Sequence, residues 1–164
     1  MKDGNILTFQ KMKKIYAIMV FAVLALMNTS CLKMGLDELE TYDLNDITNV
    51  RFEYRWYEES AEQMNVMEMT VSNDIDAEGR VIECSITVPA ATGKFTDEIR
   101  SQVSLNALAI NVDASTAARI APVDGAPVMG VFPSDFSAGE FKYTVMAGNG
   151  DKAEWTIRIV DFRK

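Results

Sequence analysis

Apolar and polar residues alternate along five segments from residue 50 onward, and this pattern predicts β-strands. The first segment, VRFEYRW at residues 50–56, has an apolar or aromatic residue at every second position and charged residues between them. The same period of two recurs in NVMEMTV, VIECSITV, FKYTV and WTIRIV. Because successive side chains of a strand point to opposite faces of a sheet, each segment has one apolar face and one polar face.

Strands with a single apolar face bury it best when two antiparallel sheets pack face to face. SLNALAINV and STAARIAPV predict further strands, and FTDEIRSQV predicts one short helix capped by Thr96. Asn149-Gly150 is a strong hairpin signal, and the four prolines are expected between strands. The sequence therefore predicts an all-β, immunoglobulin-like antiparallel β-sandwich of about seven strands over residues 47–164.

The run IYAIMVFAVLALM at residues 15–27 follows Lys11, Lys13 and Lys14. A bilayer span needs about 20 residues, whereas a run of this length suits the apolar region of a signal peptide. NTSC then resembles a bacterial lipobox, in which the cysteine is lipidated and becomes the new N-terminus. We expect a signal peptide over residues 1–30, with translation starting at Met12, and a lipidated Cys31. The alternative is an ordinary signal peptide with Cys31 as a plain thiol.

Residues 31–46 are acidic and without a clear period, so we interpret them as a short tether between the lipid and the domain. The chain has a net charge of −8, and all but one of its acidic residues follow residue 30. Such a surface repels nucleic acid and anionic lipid, so we expect no nucleic-acid partner. Attachment to the membrane would then depend on the acyl chains on Cys31.

The segments ITNVRFEYRW, DAEGRVIECSITVPAATGKFT and FKYTVMAGNGDKAEWTIRI resemble a family of Bacteroidota lipoproteins related to domain of unknown function 5018. The resemblance covers nearly all of the chain after Cys31. It implies a surface or periplasmic lipoprotein with an immunoglobulin-like fold, in a family whose suspected roles are glycan capture and adhesion. No catalytic residues are defined for that family, so the resemblance assigns none here.

Exposed aromatic rings are the best candidates for contact with a ligand, because sugar rings stack on them. Tyr57 points away from the apolar face of its strand, and Phe132 and Phe136 lie in the loop GVFPSDF, where we expect partial exposure. Tyr54 and Trp56 share the apolar face and are expected in the core. The alternative is that the loop rings also pack internally.

Asp74, Asp76 and Glu78 have the spacing of the front half of a calcium-binding loop. Ser85 occupies the twelfth position, where such a loop needs a bidentate carboxylate, and no helix follows. We therefore favour an acidic β-turn with Gly79 at positive φ, and we expect no metal or other cofactor.

Catalytic chemistry finds little support in this sequence. The chain has no histidine, which removes the commonest general base. Cys84 lies on the apolar face of its strand and is expected to be a buried, inert thiol. Adjacent acidic residues, Glu58 with Glu59 and Asp97 with Glu98, would face opposite ways on a strand, so we do not expect an enzyme.

Two functional hypotheses remain from the sequence. The first is a non-catalytic lipoprotein of the outer membrane, on its surface or periplasmic face, that serves as an accessory binding module in polysaccharide capture. The alternative is a structural or adhesive component that pairs with another envelope protein through an exposed sheet edge.

Overall fold

The computed structural model describes residues 42–164. The predicted signal peptide, Cys31 and most of the predicted tether lie outside the described residues. The described part contains eight strands: β1 (Ile47–Glu58), β2 (Gln63–Glu68), β3 (Thr70–Asp76), β4 (Val81–Thr87), β5 (Ala109–Ala114), β6 (Arg119–Val123), β7 (Glu140–Met146) and β8 (Lys152–Arg163). It also contains a 3-10 turn, Glu59–Ala61, and a short helix, α1 (Asp97–Gln102). No helix in residues 42–164 is both long enough and apolar enough to cross a membrane.

The strands form two sheets, and the predicted all-β sandwich is confirmed with eight strands. Sheet A has the order β2-β1-β5, and sheet B has the order β3-β4-β8-β7-β6. The predicted strand NVMEMTV divides at Met69, so that β2 pairs with β1 in sheet A while β3 pairs with β4 in sheet B. The Met69 N–H donates to the carbonyl of Phe52 over 2.8 Å, which fixes the crossing point.

Sheet B is mixed rather than wholly antiparallel, because β4 and β8 run parallel. Two parallel neighbours need a long crossover connection between them, and here β5, β6 and β7 lie in that connection. The alternation of apolar and polar residues indicates which face of a strand is apolar, but not whether the neighbouring strand runs parallel or antiparallel. The sequence therefore could not distinguish a mixed sheet from a wholly antiparallel one.

The core lies between the sheets and combines the apolar faces of the strands with residues from the connections, such as Phe95 and Phe136. Trp155 on the last strand is completely buried, and its indole N–H donates to the carbonyl of Asn45 over 2.9 Å. The other large side chains with less than 2% exposure include Tyr143, Phe52, Phe95, Phe136, Ile82, Ile86, Leu108, Ile110 and Ile157.

Local signals for the helix and the turns also hold. The Thr96 hydroxyl accepts from the Ile99 N–H over 3.3 Å and caps α1, as predicted. Gly150 takes a φ of +97° in the β7–β8 hairpin. Pro122, expected between strands, lies instead within β6, which is an edge strand and so tolerates a residue without an amide proton.

The residues just before β1 are hydrogen-bonded to one end of the sandwich. The carbonyl of Tyr42 accepts from the Asn149 N–H over 3.0 Å. Asp46 and Ser115 exchange two bonds of 3.0 Å, from the Asp46 N–H to the Ser115 hydroxyl and from the Ser115 N–H to the Asp46 carbonyl. We call this end, formed by the β5–β6 and β7–β8 turns, the attachment end. The end at the β1–β2 connection is the distal end, and β1 separates the two by about 35–40 Å at about 3.3 Å per residue.

Candidate ligand-binding face

An exposed apolar patch lies on the outer face of sheet A, near the distal end. Tyr57 stands directly opposite Met64, and Arg55 stands opposite Val66. Because side chains alternate along each strand, these four residues share the face that points away from the core. Tyr57 and Met64 are each 56% exposed, and Val66 is 51% exposed. We call Tyr57, Met64 and Val66 the Tyr57 patch.

A fixed guanidinium group borders the Tyr57 patch on one side. The Arg55 Nε donates to the Glu53 carboxylate over 2.7 Å, and its Nη1 donates to the carbonyl of Gly130 over 3.0 Å. The ion pair with Glu53 offsets the positive charge of Arg55 and limits the motion of its side chain. The patch therefore has a polar neighbour that is already oriented before any ligand arrives.

A polar pair lies at the end of β1, one residue beyond Tyr57. The Lys94 Nζ lies 2.7 Å from the Glu58 carboxylate and also donates to the side-chain oxygen of Gln63 over 3.3 Å. The hydrogen bond from Lys94 lowers the pKa of Glu58, so this carboxyl group stays ionised at neutral pH. Because side chains alternate along β1, this pair points to the opposite face of sheet A from Tyr57.

Phe136 does not contribute to this face, and the expectation that it is partly exposed is wrong. Its ring is completely buried and packs edge-on against Phe52 and Phe141, with ring centroids 5.2 Å apart in each pair. The cause is the path of the loop: the Phe136 N–H donates to the carbonyl of Leu105 over 2.7 Å, which turns the ring into the sandwich. The ring therefore belongs to the core.

Phe132 also lies on the inner side of sheet A. It is half-buried and packs edge-on against Tyr54 at 5.6 Å, while Tyr54 stacks on the half-buried Trp56 at 6.3 Å. Tyr57 points the opposite way along β1. The structure thus brings no two of the three predicted ligand-contacting rings together, and Tyr57 is the one that faces solvent.

The predicted half of a calcium loop spans the end of β3 and the β3–β4 turn. Asp74, Asp76 and Glu78 are exposed, and residues 42–164 contain no group of three acidic, histidine or cysteine side chains that could hold a metal. The Asp76 carboxylate accepts from the Gly79 N–H over 2.8 Å, and a Cβ on Gly79 would collide with that carboxylate. Positive φ occurs at Arg80, at +55°, and not at Gly79 as expected. A side chain at residue 79 would therefore have to displace the Asp76 carboxylate.

Cys84 is buried on the inner face of β4, as predicted. Its thiol lies 3.2 Å from the side-chain oxygen of Asn73, and burial raises its pKa to about 12. The nucleophilic thiolate is therefore scarce at neutral pH.

Sequence reasoning missed Met64 and Val66 as neighbours of Tyr57, because it assigned faces to strands without pairing them. A signal was present: a chain that reverses direction between Glu58 and Gln63 must place Tyr57 opposite Met64. The alternation of β2 then brings Val66 to the same face.

Comparisons with known proteins place this domain among bacterial relatives. The model of a family described as DUF5018-related matches residues 47–158. A solved structure from Bacteroides fragilis NCTC 9343, described as a "putative secreted protein", is 39% identical to this chain. The match covers 76% of this chain and 99% of that one, with a TM-score of 0.66. No curated protein matches this chain significantly.

Proposed function

Because this chain belongs to the DUF5018-related family, we propose that it is a non-catalytic binding module held at the bacterial outer membrane by lipid on Cys31. The relative described as secreted supports export of this protein. The apolar run at residues 15–27, followed by NTSC, supports lipidation at that cysteine.

The proposed ligand is a polysaccharide, and the observation that carries this proposal is the Tyr57 patch. A half-exposed tyrosine ring offers an apolar surface to one face of a sugar ring. Arg55 and its partner Glu53 lie on the same face and supply donors and acceptors for sugar hydroxyl groups. Both side chains are already held by hydrogen bonds, so little side-chain entropy would be lost on binding.

The position of the patch suits a domain anchored through its N-terminal side. Residues 42–46 bind to the attachment end, whereas Tyr57 lies near the far end of the twelve-residue strand β1. If the lipid is on Cys31, the chain enters the domain at the attachment end, and the Tyr57 patch lies near the distal end.

The proposed lack of catalysis is supported by the chemistry of Glu58, the carboxyl group next to Tyr57 in the sequence. A glycosidase needs one carboxyl group that stays protonated to act as an acid, which requires a raised pKa. The pKa of Glu58 is lowered by Lys94, so it does not suit that role.

Titration calorimetry of the purified domain against a panel of bacterial, plant and host polysaccharides tests ligand binding. We expect heat with at least one polysaccharide and its loss in Tyr57→Ala. Tyr42→Ala is the matched control, because Tyr42 is 50% exposed but lies at the attachment end. The absence of heat with every polysaccharide, or equal binding by Tyr57→Ala, would contradict the proposal.

Metabolic labelling with an alkyne fatty acid tests the anchor separately. The wild-type protein should carry the label and sediment with outer membranes, whereas Cys31→Ser should lose the label and appear in the soluble fraction. A wild-type protein without label would refute lipidation and leave ligand binding to be judged by calorimetry.

A further inference from the structure

The edge of sheet A formed by β5 has free main-chain groups near its end. Val50 pairs with Val112 across β1 and β5. The carbonyl of Val50 points away from β5, because it accepts from the Asn73 side chain over 2.9 Å on the opposite side of β1. In an antiparallel ladder, when one of two opposed residues directs its N–H and C=O away from the other strand, the residue opposite it does the same. The N–H and C=O of Val112 therefore point away from β1, toward the open edge.

Part of this edge is already covered by the protein's own chain. Leu108 and Ser134 exchange two main-chain hydrogen bonds, and the Gly130 N–H donates to the carbonyl of Ile110 over 2.8 Å. This covering ends at Ile110. Among the described residues, neither Val112 nor Ala114 has a main-chain partner on the outward side.

A groove of about 500 Å³ lies beside these free groups, between the edge of β5 and the edge of β6. Val112, Ile120 and Met129 give it an apolar lining, and Arg51 and Asn111 add polar groups. The Arg51 Nε is buried and has no hydrogen-bond partner, although the Nη2 of the same side chain donates to Asp113 over 2.7 Å. A buried donor without an acceptor is unfavourable, and an occupant of the groove that brings an acceptor would relieve it.

The chemistry of the groove selects the kind of occupant. Its free groups are main-chain donors and acceptors at strand spacing, which an extended polypeptide matches. No aromatic ring lines it, so it lacks the surface on which a sugar would stack. The one charged side chain in the lining, Arg51, is paired with Asp113 through Nη2 but still has an unpartnered Nε donor, which favours a neutral or acidic segment over a basic one.

We propose that an extended, neutral-to-acidic segment of a partner protein adds to sheet A as a strand along residues 112–114. The segment hydrogen-bonds to the outward N–H and C=O of Val112, and one of its oxygens accepts from the Arg51 Nε. Its alternate side chains enter the groove against Ile120 and Met129. The site is separate from the Tyr57 patch and does not depend on glycan binding.

Selection of displayed random twelve-residue peptides on the full-length protein tests this inference. The most enriched peptide is then synthesised, and its affinity is measured by fluorescence anisotropy. Val112→Pro removes the outward amide proton at an edge position that tolerates proline, so we expect about tenfold weaker binding. Val112→Thr keeps the amide proton and a β-branched side chain, so it should bind as the wild type does.

Two further measurements keep the test decisive if Val112→Pro folds poorly. Ala118→Tyr fills the groove and leaves the pairing of β5 intact, so it should also weaken the peptide. The Val112 amide should exchange with deuterium rapidly in the free protein and slowly in the complex.

Peptide affinity that is the same in Val112→Pro, Ala118→Tyr and the wild type would overturn the inference, as would a selection without enrichment. A wild-type dimer that Val112→Pro dissociates would also overturn it, in favour of a second copy. Tyr57→Ala should leave peptide affinity unchanged, so failure of the glycan proposal and failure of this one are distinguishable.

Discussion

Replacing Phe136 by alanine tests whether this ring is a core residue, as the structure has it, or a ligand-contacting residue, as the sequence predicts. The sequence places Phe136 in an exposed loop, where its loss would affect a ligand and leave the fold intact. The structure places the ring in the core between Phe52 and Phe141, so its loss should destabilise the domain.

The size of the effect follows from complete burial. Phenylalanine-to-alanine changes in cores cost about 3–5 kcal/mol, through lost transfer free energy and the cavity that remains. Phe136 does not belong at the bottom of that range, because it also loses two edge-on aromatic contacts, each worth about 0.5–1.5 kcal/mol. We expect about 4 kcal/mol. Against a total stability of about 5–15 kcal/mol, this lowers the melting temperature by roughly 10 °C or more.

Urea unfolding followed by tryptophan fluorescence measures this difference, because Trp155 lies in the same core. Phe136→Ala should lower the midpoint while the slope of unfolding free energy against urea stays constant. Tyr57→Ala is the control: more than half of that side chain is exposed, so its loss should change stability by about 0.5 kcal/mol or less.

A different result would refute the reasoning. If Phe136→Ala unfolds within about 1 kcal/mol of the wild type, the ring is not part of the core in solution. The loop would then have to hold the ring outward, and Phe136 would again be a candidate for ligand contact.

Three further predictions test the interior and the helix cap. Asn73→Ala should cost about 2 kcal/mol in urea unfolding, because it leaves the carbonyl of Val50 without its side-chain donor. Iodoacetamide at pH 8 should leave Cys84 unmodified in the folded protein and alkylate it in urea, as read by peptide mass spectrometry. Because burial raises the pKa of Cys84 from 9.0 to about 12, its contribution to stability is present below pH 9 and is lost as the pH rises toward 12. Thr96→Ala removes the acceptor for the Ile99 N–H and should cost about 1 kcal/mol by thermal unfolding, whereas Thr96→Ser should cost little.

The face of each strand could be predicted from the sequence, because alternation is a local property. Ile82, Cys84 and Ile86 alternate with polar residues in the sequence, and all three are completely buried. The same holds in β1, where Phe52 is completely buried and Tyr54 nearly so. The cap at Thr96 was predictable for the same reason, since it depends on residues within one turn.

The partners of the strands could not be predicted, because pairing depends on residues far apart in the sequence. Nothing in NVMEMTV marks Met69 as the point where the chain leaves one sheet for the other. The inward turn of Phe136 likewise depends on a hydrogen bond to Leu105, which local composition does not report. The Tyr57 patch was only half-predicted, since Met64 enters it through the register of β1 and β2.

The two sides of the sandwich differ in how the chain crosses between the sheets, and this difference explains where the groove lies. On the β2–β3 side a single residue makes the crossing: the Met69 N–H donates to the carbonyl of Phe52, and the side chain is 3% exposed and belongs to the core. On the β5–β6 side the crossing is a turn at residues 115–118, flanked by the small side chains of Ala114 and Ala118, and the space stays open. The open side lies outside the completely buried core, so changes there should cost little stability. A surface of that kind can acquire a binding role without endangering the fold, which is why the free edge of β5, rather than the closed side, is where a partner strand would add.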